Sequence, residues 1–264
     1  MKLYSFFNLG NTCYLNSIIQ CFINLKYFKE TLKKECELSN LLKNIDVDLT
    51  NNDECIIYKY NPKEIVSIFM KKFTIFKQHD AHEFLIDFLE KLELNDFYGK
   101  IKMNITCSSC KSMSSTFEDF STINLPFENG TSIVDAFIKY LKKEDIHDYH
   151  CEKCNKHILA DKNLYLYSLP LFLIIVLKKY NSNGTMTYPF ENMKIRETKS
   201  NEVFSYSLYA IVYHHGNSEN GHYNCVVKIN ENWCCIDDDT IYLNVSLNFE
   251  NSYILFYKQN VHPC

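Results

Sequence analysis

Two pairs of cysteines place the strongest constraint on how this chain can fold. The pairs are Cys107-Ser-Ser-Cys110 and Cys151-Glu-Lys-Cys154, and residues 111–150 lie between them. Four thiolates in two C-x-x-C pairs satisfy the tetrahedral geometry of Zn²⁺ and leave no coordination position open. The spacing therefore predicts one structural zinc site that brings two distant segments together, with a helix-bearing segment looped out between them.

Disulfides, a redox motif and plain packing are the alternatives to zinc. The chain has 12 cysteines, but its first residues make a poor signal peptide because Asn8, Asn11 and Asn16 interrupt the apolar stretch. We therefore expect a reducing compartment, the cytoplasm or the nucleus, where disulfides are rare. A single C-x-x-C pair would suit a redox motif, whereas two pairs favour zinc. Thiols that pack without a metal remain the other possibility.

Composition indicates a globular protein and gives no sign of a charged partner. Hydrophobic residues make up 46% of the 264 residues and charged residues 23%, which is ample for a core. The formal net charge is −4 and the pI is about 6.1, so nothing favours nucleic acid or a membrane surface. The longest apolar run, residues 164–177, contains Ser168 and Pro170 and is too short to span a bilayer. We expect a monomer without nucleic acid or membrane as partner.

The first third of the chain has mainly helical patterns. Apolar residues recur at helical spacing over Cys13–Phe22 and again over Asp80–Leu92. A further helix start is predicted at residue 61, with Asn61 as N-cap and Pro62 in the first helical position. The stretch between, residues 26–60, is polar and only weakly periodic, so it predicts no defined chemistry.

From residue 98 onward the pattern becomes β-like. Residues 98–127 are rich in Ser, Thr and Cys, and a helix is expected over Ser132–Leu141. Its predicted inward face consists of Val134, Phe137, Ile138 and Leu141. Later apolar runs are short and bounded by turn residues, which is typical of strands: Leu164–Leu169, Leu171–Lys178, Phe204–Tyr213, Tyr223–Ile229, Trp233–Ile236 and Tyr253–Tyr257. Helices followed by strands favour the α+β class, with a helical lobe packed against a sheet lobe.

Cys13 is the candidate nucleophile of the chain. It follows the turn residues Gly10, Asn11 and Thr12, and either Asn11 or Thr12 could be the N-cap of the helix. Cys13 would then lie in the first helical turn, where free N–H groups and the helix dipole favour thiolate over thiol. The alternative is an unreactive buried cysteine, because free cysteine is among the most buried residue types.

His222 is the candidate base among nine histidines. It opens the predicted strand Tyr223–Ile229, next to a loop rich in Gly, Asn and Ser. The strand Trp233–Ile236 follows and leads into three aspartates, residues 237–239. A hairpin would bring one of these carboxylates back to His222, where it could orient the imidazole and stabilise the imidazolium. The alternative for the aspartates is an acidic turn.

Together these motifs resemble the ubiquitin-specific proteases, a family of papain-like cysteine deubiquitinases. Residues 8–17, Asn-Leu-Gly-Asn-Thr-Cys-Tyr-Leu-Asn-Ser, resemble the family's cysteine box, and residues 78–85, Gln-His-Asp-Ala-His-Glu-Phe-Leu, resemble its Gln-Asp-Ala-His-Glu-Phe helix. Residues 221–223 and 233–238 resemble its histidine box. The two C-x-x-C pairs fall where the family has zinc-bearing fingers. The likeness runs from near the first residue to about Tyr257.

The resemblance implies one catalytic domain over residues 1–264 with a papain-like, right-hand architecture. Residues 1–97 would form a mainly helical thumb. Residues 98–170 would form β fingers that carry the zinc knuckles and an inserted helix. Residues 171–264 would form a β-rich palm that contains the histidine box.

The resemblance also implies a role for each matching residue. Cys13 would be the nucleophile, His222 the general base and Asp237 the residue that orients the imidazole. Asp238 is the neighbouring family aspartate, which could share that last role. Asn8 would donate a hydrogen bond to the oxyanion, and backbone N–H groups near the nucleophile would complete the oxyanion hole.

The implied activity is hydrolysis of the isopeptide or peptide bond after the C-terminal glycine of ubiquitin. The residues assigned to the ubiquitin tail are Asp80, Gly221 and Tyr223. The implied partners are ubiquitin and ubiquitinated proteins, and the implied cofactor is structural zinc, with none for catalysis. Two alternatives stay open: a protease for another ubiquitin-like modifier, and a catalytically silent ubiquitin-binding module.

Overall fold

The computed structural model describes residues 1–26, 28–50, 55–179, 184–217 and 220–260. Within these ranges the chain forms a group of helices, a two-stranded sheet, an eight-stranded sheet and a four-stranded sheet. The helices are α1 (Cys13–Ile23), α2 (Phe28–Thr31), α3 (Glu37–Asn44), α4 (Lys63–Phe69), α5 (Ala81–Leu92) and α6 (Ile133–Tyr140). The strands are β1 (Lys2–Phe6), β2 (Ile56–Tyr60), β3 (Gly99–Cys107), β4 (Met113–Phe120), β5 (Ile123–Pro126), β6 (Glu144–Cys151), β7 (Lys156–Ser168), β8 (Phe172–Lys178), β9 (Met193–Arg196), β10 (Val203–Gly216), β11 (Gly221–Ile229), β12 (Asn232–Asp237), β13 (Thr240–Tyr242) and β14 (Ser252–Gln259).

The eight-stranded sheet is the centre of the fold. Its order is β13-β12-β11-β10-β14-β8-β5, and β9 pairs with one end of β10. Neighbouring strands are antiparallel except β5 and β8, which are parallel. Ile174 and Phe256 face a core shared with the helices, whereas Ile175 and Leu255 face a second core on the other side. Because both faces are covered, β8 has a continuous apolar sequence and not an alternating one.

Helix α1 is buried around its whole circumference, although the sequence predicted only one apolar face. Every residue from Cys13 to Ile23 is buried. The side-chain N–H groups on the other face have partners: Asn16 Nδ2 donates to Asp238 Oδ1 over 2.8 Å, and Gln20 Nε2 donates to the Tyr4 carbonyl over 2.7 Å. Buried polar groups need such partners. They attach α1 both to β1 and to the turn after β12.

The predicted helix after residue 80 is confirmed in its start and in its buried face. The Asp80 carboxylate caps α5, because Oδ1 accepts from the N–H groups of His82 and Glu83. All six predicted inward residues are buried: Ala81, Phe84, Leu85, Phe88, Leu89 and Leu92. The start of this helix is therefore fixed at Asp80.

The prediction that the first third is helical is wrong in part. Strands β1 and β2 form a parallel two-stranded sheet in the register Lys2 opposite Ile56. β2 is mostly exposed and has no alternating apolar pattern, so periodicity could not reveal it. The same stretch contains α3, whose N-cap is Cys36, with Sγ accepting from Ser39 N–H. Cysteine is not among the residues usually preferred at an N-cap, so the sequence did not indicate this helix.

Helix α4 begins one residue later than predicted. Pro62, expected in the first helical position, has the N-cap position, and the helix starts at Lys63. The Asn61 side chain accepts from the Lys63 N–H over 3.1 Å. The predicted N-cap, Asn61, thus contacts the start of the helix, but it precedes the actual N-cap by one residue.

The predicted inward face of α6 is wrong. Ile133 and Ala136 are buried, whereas Val134 and Ile138 are 52% and 64% exposed. The remaining predicted residues, Phe137 and Leu141, are only partly buried. The helix has apolar residues on most sides and is only eight residues long, so its sequence does not select one face. Packing against the large sheet decides its rotation.

The four-stranded sheet has the order β4-β3-β7-β6, with antiparallel neighbours throughout. Both C-x-x-C pairs lie at one end of it, because β3 ends at Cys107 and β6 ends at Cys151. No helix in the described parts of the chain is long and apolar enough to cross a membrane. The boundaries proposed for thumb, fingers and palm stay a prediction.

Candidate active site

Cys13 is the first residue of α1 and is 4% exposed. Thr12, one of the two N-cap candidates in the sequence, has the N-cap position, but its hydroxyl turns back to the preceding loop, where it accepts from the Leu9 N–H over 3.0 Å. No side chain in the described ranges caps the first turn of α1. Its N–H groups are therefore directed to the same region as the thiol and can serve an anionic acceptor.

Asn8 organises the loop in front of Cys13. Its Oδ1 accepts from the N–H groups of Gly10, over 3.0 Å, and Thr12, over 3.1 Å. Gly10 has a φ of +96°, a left-handed conformation that suits glycine. On the other side, Asn8 Nδ2 donates to Asp238 Oδ2 over 2.8 Å. This bond uses one of the two Nδ2 hydrogens, so the amide is held in one plane with one hydrogen to donate.

The β11–β12 hairpin brings His222 and Asp237 together, as the sequence predicted. In the register, Cys225 lies opposite Ile236. His222 Nε2 is 2.5 Å from Asp237 Oδ1, so the other ring nitrogen, Nδ1, is the one that can serve Cys13. The hydrogen bond with Cys13 is the largest cause that raises the pKa of His222 to about 9; burial opposes it, and Asp237 reinforces it. The imidazole therefore keeps its second proton at neutral pH, which favours an ion pair with a thiolate.

Of the two neighbouring aspartates, Asp237 is the one that is hydrogen-bonded to the imidazole. Asp238 accepts hydrogen bonds from two asparagines instead. Asp238 has a φ of +49°, and its carboxylate accepts from Asn8 and from Asn16, each over 2.8 Å. Its carbonyl accepts from the Phe6 N–H over 2.9 Å. Burial raises the pKa of this carboxyl group, and the bonds from the two asparagines oppose that shift. The structure thus places Asp238 between the Asn8 loop, α1 and the end of β12.

The three residues predicted to bind substrate meet around His214. The Tyr223 ring stacks on the His214 ring, with centroids 4.4 Å apart. Gly221 lies so close to His214 that an added Cβ would collide with its Nε2 atom. Asp80 Oδ2 accepts from the hydroxyl of Tyr253 over 2.7 Å. Asp80, which the sequence assigned only to substrate, is therefore also a helix cap and a link to β14.

Sequence reasoning missed the part played by Gln78. In the sequence, Gln78 is only the first residue of the motif at residues 78–85. In the structure its Oε1 accepts from the Gly221 N–H over 2.8 Å, and its Nε2 donates to the Gly221 carbonyl over 2.6 Å. Nothing in the sequence pairs these two residues, which are 143 positions apart. Asn16, the second donor to Asp238, was missed for the same reason.

The four predicted zinc ligands lie together. Their Sγ atoms are all within 4.8 Å of one another, and none of the four is in a disulfide. The Sγ distances are 3.8 Å for Cys107 to Cys154 and 3.7 Å for Cys110 to Cys151. Sulfurs placed tetrahedrally about 2.3 Å from a zinc ion are about 3.8 Å apart. These cysteines can therefore hold one metal ion, and their spacing fits zinc.

Comparison with known proteins supports the family resemblance. The family model "Ubiquitin carboxyl-terminal hydrolase" matches residues 5–257. Ubiquitin carboxyl-terminal hydrolase 20 of Arabidopsis thaliana is 30% identical, over 96% of this chain and 43% of that protein. Probable ubiquitin carboxyl-terminal hydrolase 4 of Schizosaccharomyces pombe is 25% identical, over 96% of this chain and 58% of that protein. The chain thus spans about half the length of these two relatives.

Solved structures show that the fold is shared as well. The SAGA DUB module of Ubp8, Sgf11, Sus1 and Sgf73 bound to monoubiquitin contains a similar chain, with a TM-score of 0.80 and 22% identity over 98% of this chain and 69% of that one. The same module bound to ubiquitin aldehyde gives a TM-score of 0.76 at 22% identity, over 98% and 70%. This likeness confirms the predicted architecture. Because the family model covers nearly the whole chain, the protein belongs to the ubiquitin carboxyl-terminal hydrolase family.

Proposed function

We propose that this chain is a cysteine-type deubiquitinase that hydrolyses the bond after the C-terminal glycine of ubiquitin. The observation that carries the proposal is the contact of three side chains from separate elements. The Cys13 thiol at the start of α1 is close enough to His222 to raise the pKa of the imidazole, and His222 is hydrogen-bonded to Asp237. A nucleophile, a base and a carboxylate that orients the base are the parts that acyl transfer to cysteine requires. The names of the relatives support ubiquitin as the modifier.

In the first half of the reaction, Cys13 Sγ attacks the carbonyl carbon of the terminal glycine. The C=O electron pair moves to oxygen and gives a tetrahedral oxyanion. Asn8 Nδ2 and N–H groups at the start of α1 would stabilise that charge. The intermediate then collapses: the C–N bond breaks, the lysine amine leaves with a proton from the His222 imidazolium, and a thioester remains on Cys13.

In the second half, water hydrolyses the thioester. Neutral His222 takes a proton from the attacking water, and a second oxyanion forms in the same place. Its collapse breaks the C–S bond and releases the glycine carboxylic acid, which loses its proton to the solvent. The Cys13 thiolate and the His222 imidazolium are thereby restored. Asp237 keeps its bond to Nε2 throughout, so that Nδ1 stays directed at the reacting atoms.

The ubiquitin tail is proposed to lie along Asp80, Gly221 and Tyr223. Gly221 and Tyr223 flank His222 in β11, and Asp80 lies near His214, whose ring stacks on that of Tyr223. A tail that ends in glycine suits a narrow passage, because side chains would clash there. Ubiquitin and ubiquitinated proteins are therefore the proposed partners.

Zinc is the proposed occupant of the Cys107–Cys154 site, in a structural role. All four protein ligands are sulfurs, which leaves no position for water or substrate. The ion would join the end of β3 to the end of β6 and hold the four-stranded sheet in one shape. Such a site requires reduced thiols, in agreement with the proposed cytoplasmic or nuclear location.

The test is labelling by ubiquitin that carries a C-terminal propargylamide, on wild type and on Cys13→Ala. We expect a covalent adduct of one ubiquitin per chain on the wild type and none on Cys13→Ala. An adduct at another cysteine, located by peptide mass spectrometry, would contradict the assignment of the nucleophile. His222→Ala should label far more slowly, because the thiol loses its base.

The same experiment separates the two alternatives. Probes made from other ubiquitin-like modifiers are tested in parallel. Faster labelling by one of them would identify that modifier as the preferred substrate in place of ubiquitin. Reversible binding of ubiquitin to wild type, measured by calorimetry, without any adduct would identify a silent binding module.

A further inference from the structure

A short loop, residues 74–80, lies between the nucleophile and the base. We call it the connecting loop. On the side of the nucleophile, the loop contacts Asn11, which lies two residues before Cys13. Asn11 Nδ2 donates to the Ile75 carbonyl over 3.1 Å. Gly10 also lies against this carbonyl, since an added Cβ would be 3.5 Å from the oxygen. The loop is therefore attached to the turn that carries the thiol.

The connecting loop is held in shape by its own residues. Thr74 N–H donates to His79 Nε2 over 2.9 Å. The His79 ring packs on the rings of Tyr14 and Phe73, with centroids 5.4 and 5.3 Å away. Tyr14 is the residue after Cys13 and is buried. At its end the loop runs into Asp80, the N-cap of α5. Gln78 is thus placed at a defined position relative to Cys13.

On the side of the base, Gln78 contacts Gly221 at the start of β11. Its amide makes two hydrogen bonds to one residue, accepting from the N–H of Gly221 and donating to its carbonyl, over 2.8 and 2.6 Å. A pair of bonds fixes direction as well as distance, which a single bond does not. Gly221 is the first residue of β11 and lies opposite Gly216 at the end of the β10–β11 pairing. The next residue is His222.

We propose that Gln78 is a positioning residue, which holds the start of β11 against the connecting loop so that the His222 imidazole meets the Cys13 thiol. This inference rests on the proposed function, because it assigns a part in the same reaction. Gln78 does not touch the reacting atoms. It acts through Gly221, whose backbone it holds at the point where the sheet pairing ends.

A positioning residue matters because the two catalytic groups belong to separate elements of the fold. Cys13 belongs to a helix, His222 to a strand, and the hydrogen bond between them tolerates little displacement. Asp237 fixes the imidazole on its own hairpin, so it cannot correct a shift of the whole hairpin relative to α1. Asn8 and Asn16 hold the end of β12 through Asp238, and Gln78 holds the start of β11, next to His222.

The test compares Gln78→Met with wild type and with Lys77→Ala. Methionine keeps most of the side-chain volume and removes both hydrogen bonds. Lys77 is the exposed neighbour of Gln78 in the same loop, so its variant is a matched control. Alkylation of Cys13 by iodoacetamide is followed by peptide mass spectrometry from pH 5 to pH 10. This reaction reports the thiolate–imidazolium pair and needs no ubiquitin.

For Gln78→Met we expect Cys13 alkylation at pH 7 to slow on the order of tenfold, and kcat on a ubiquitin substrate to fall by a similar factor with KM nearly unchanged. The midpoint at which the imidazolium is lost should move to lower pH, because the hydrogen bond with the thiolate weakens. The melting temperature should stay close to that of wild type. Lys77→Ala should behave as wild type in all of these measurements.

The proposal would be overturned if Gln78→Met had the same Cys13 alkylation rate and the same pH midpoint as wild type. It would also be overturned if Lys77→Ala lost as much alkylation rate and kcat as Gln78→Met. If Gln78→Met does not fold, Gln78→Asn takes its place; its amide is one methylene shorter and cannot keep both bonds. Failure of the proposed function has a different signature. The wild type would then show the pH-dependent alkylation of a paired cysteine but would not react with any ubiquitin probe.

Discussion

His222 Nε2 lies 2.5 Å from Asp237 Oδ1, at the end of the β11–β12 hairpin where the strand pairing stops. The bond occupies one ring nitrogen and directs the other to the Cys13 thiol. The pKa of His222 is raised to about 9, chiefly by the bond with Cys13. The geometry and the raised pKa therefore favour the same state of the base, an imidazolium next to the Cys13 sulfur.

The first prediction concerns pH. The pKa of His222 is about 9 in the folded chain, above its ordinary value of 6.5. A raised pKa means that the stabilising effect of the charged imidazole is fully present below pH 6.5 and is lost as the pH rises through 9. We expect kcat/KM for a fluorogenic ubiquitin substrate to fall on the alkaline side with a midpoint near pH 9. A midpoint near 6.5 would mean that His222 does not form this pair.

The second prediction concerns Asp237→Asn. The amide has nearly the same shape but no charge, so the pKa of His222 should fall and the alkaline midpoint should move below that of wild type. We expect kcat to drop at least on the order of tenfold, because the imidazole is no longer held in one tautomer. Asp239→Asn is the control, since Asp239 pairs with the exposed Lys59. A loss of activity that is the same in both variants would contradict the role of Asp237.

The third prediction separates the two possible roles of Asn8. Asn8 and Asn16 both donate to the Asp238 carboxylate over 2.8 Å, but only Asn8 lies in the loop before the nucleophile. Asn8→Ala should lower kcat by about 10²–10³, the usual effect of removing an oxyanion donor. Asn16→Ala should lower the free energy of unfolding and leave kcat much closer to wild type.

Stopped-flow kinetics and chemical denaturation of the two variants check this prediction. Equal losses of kcat would show that Asn8 acts only by supporting Asp238. Because Asn8 Oδ1 also accepts from the N–H groups of Gly10 and Thr12, ubiquitin affinity is measured in the Cys13→Ala background. Unchanged affinity there would show that the loop keeps its shape.

The fourth prediction concerns the cysteine site. Cys151→Ser should bind less than one zinc ion per chain by elemental analysis and should have a lower melting temperature, because structural zinc stabilises the folded chain. Hydrogen exchange should speed up in the four-stranded sheet and change little in α1. Cys36→Ser is the control, since serine is itself a good N-cap for α3. One zinc per chain in Cys151→Ser would contradict the proposed ligand set.

Local sequence patterns were sufficient for the elements that they specify strongly. The whole buried face of α5 and five strands of the large sheet, β8, β10, β11, β12 and β14, could be predicted, because hydrophobic periodicity and turn residues are local properties. The same is true of the pairing of His222 with Asp237, which a tight hairpin brings together. The rotation of α6 could not be predicted, since its apolar residues occupy most of its sides.

By itself, the sequence determined the candidate residues: the Cys13 motif, the His222 motif and the two C-x-x-C pairs are recognisable as spacings along the chain. Only the tertiary structure decided how these parts are held. The bonds from Gln78 to Gly221 and from Asn16 to Asp238 join residues 143 and 222 positions apart. Contacts at such distances depend on how helices and sheet pack, and no local pattern encodes them.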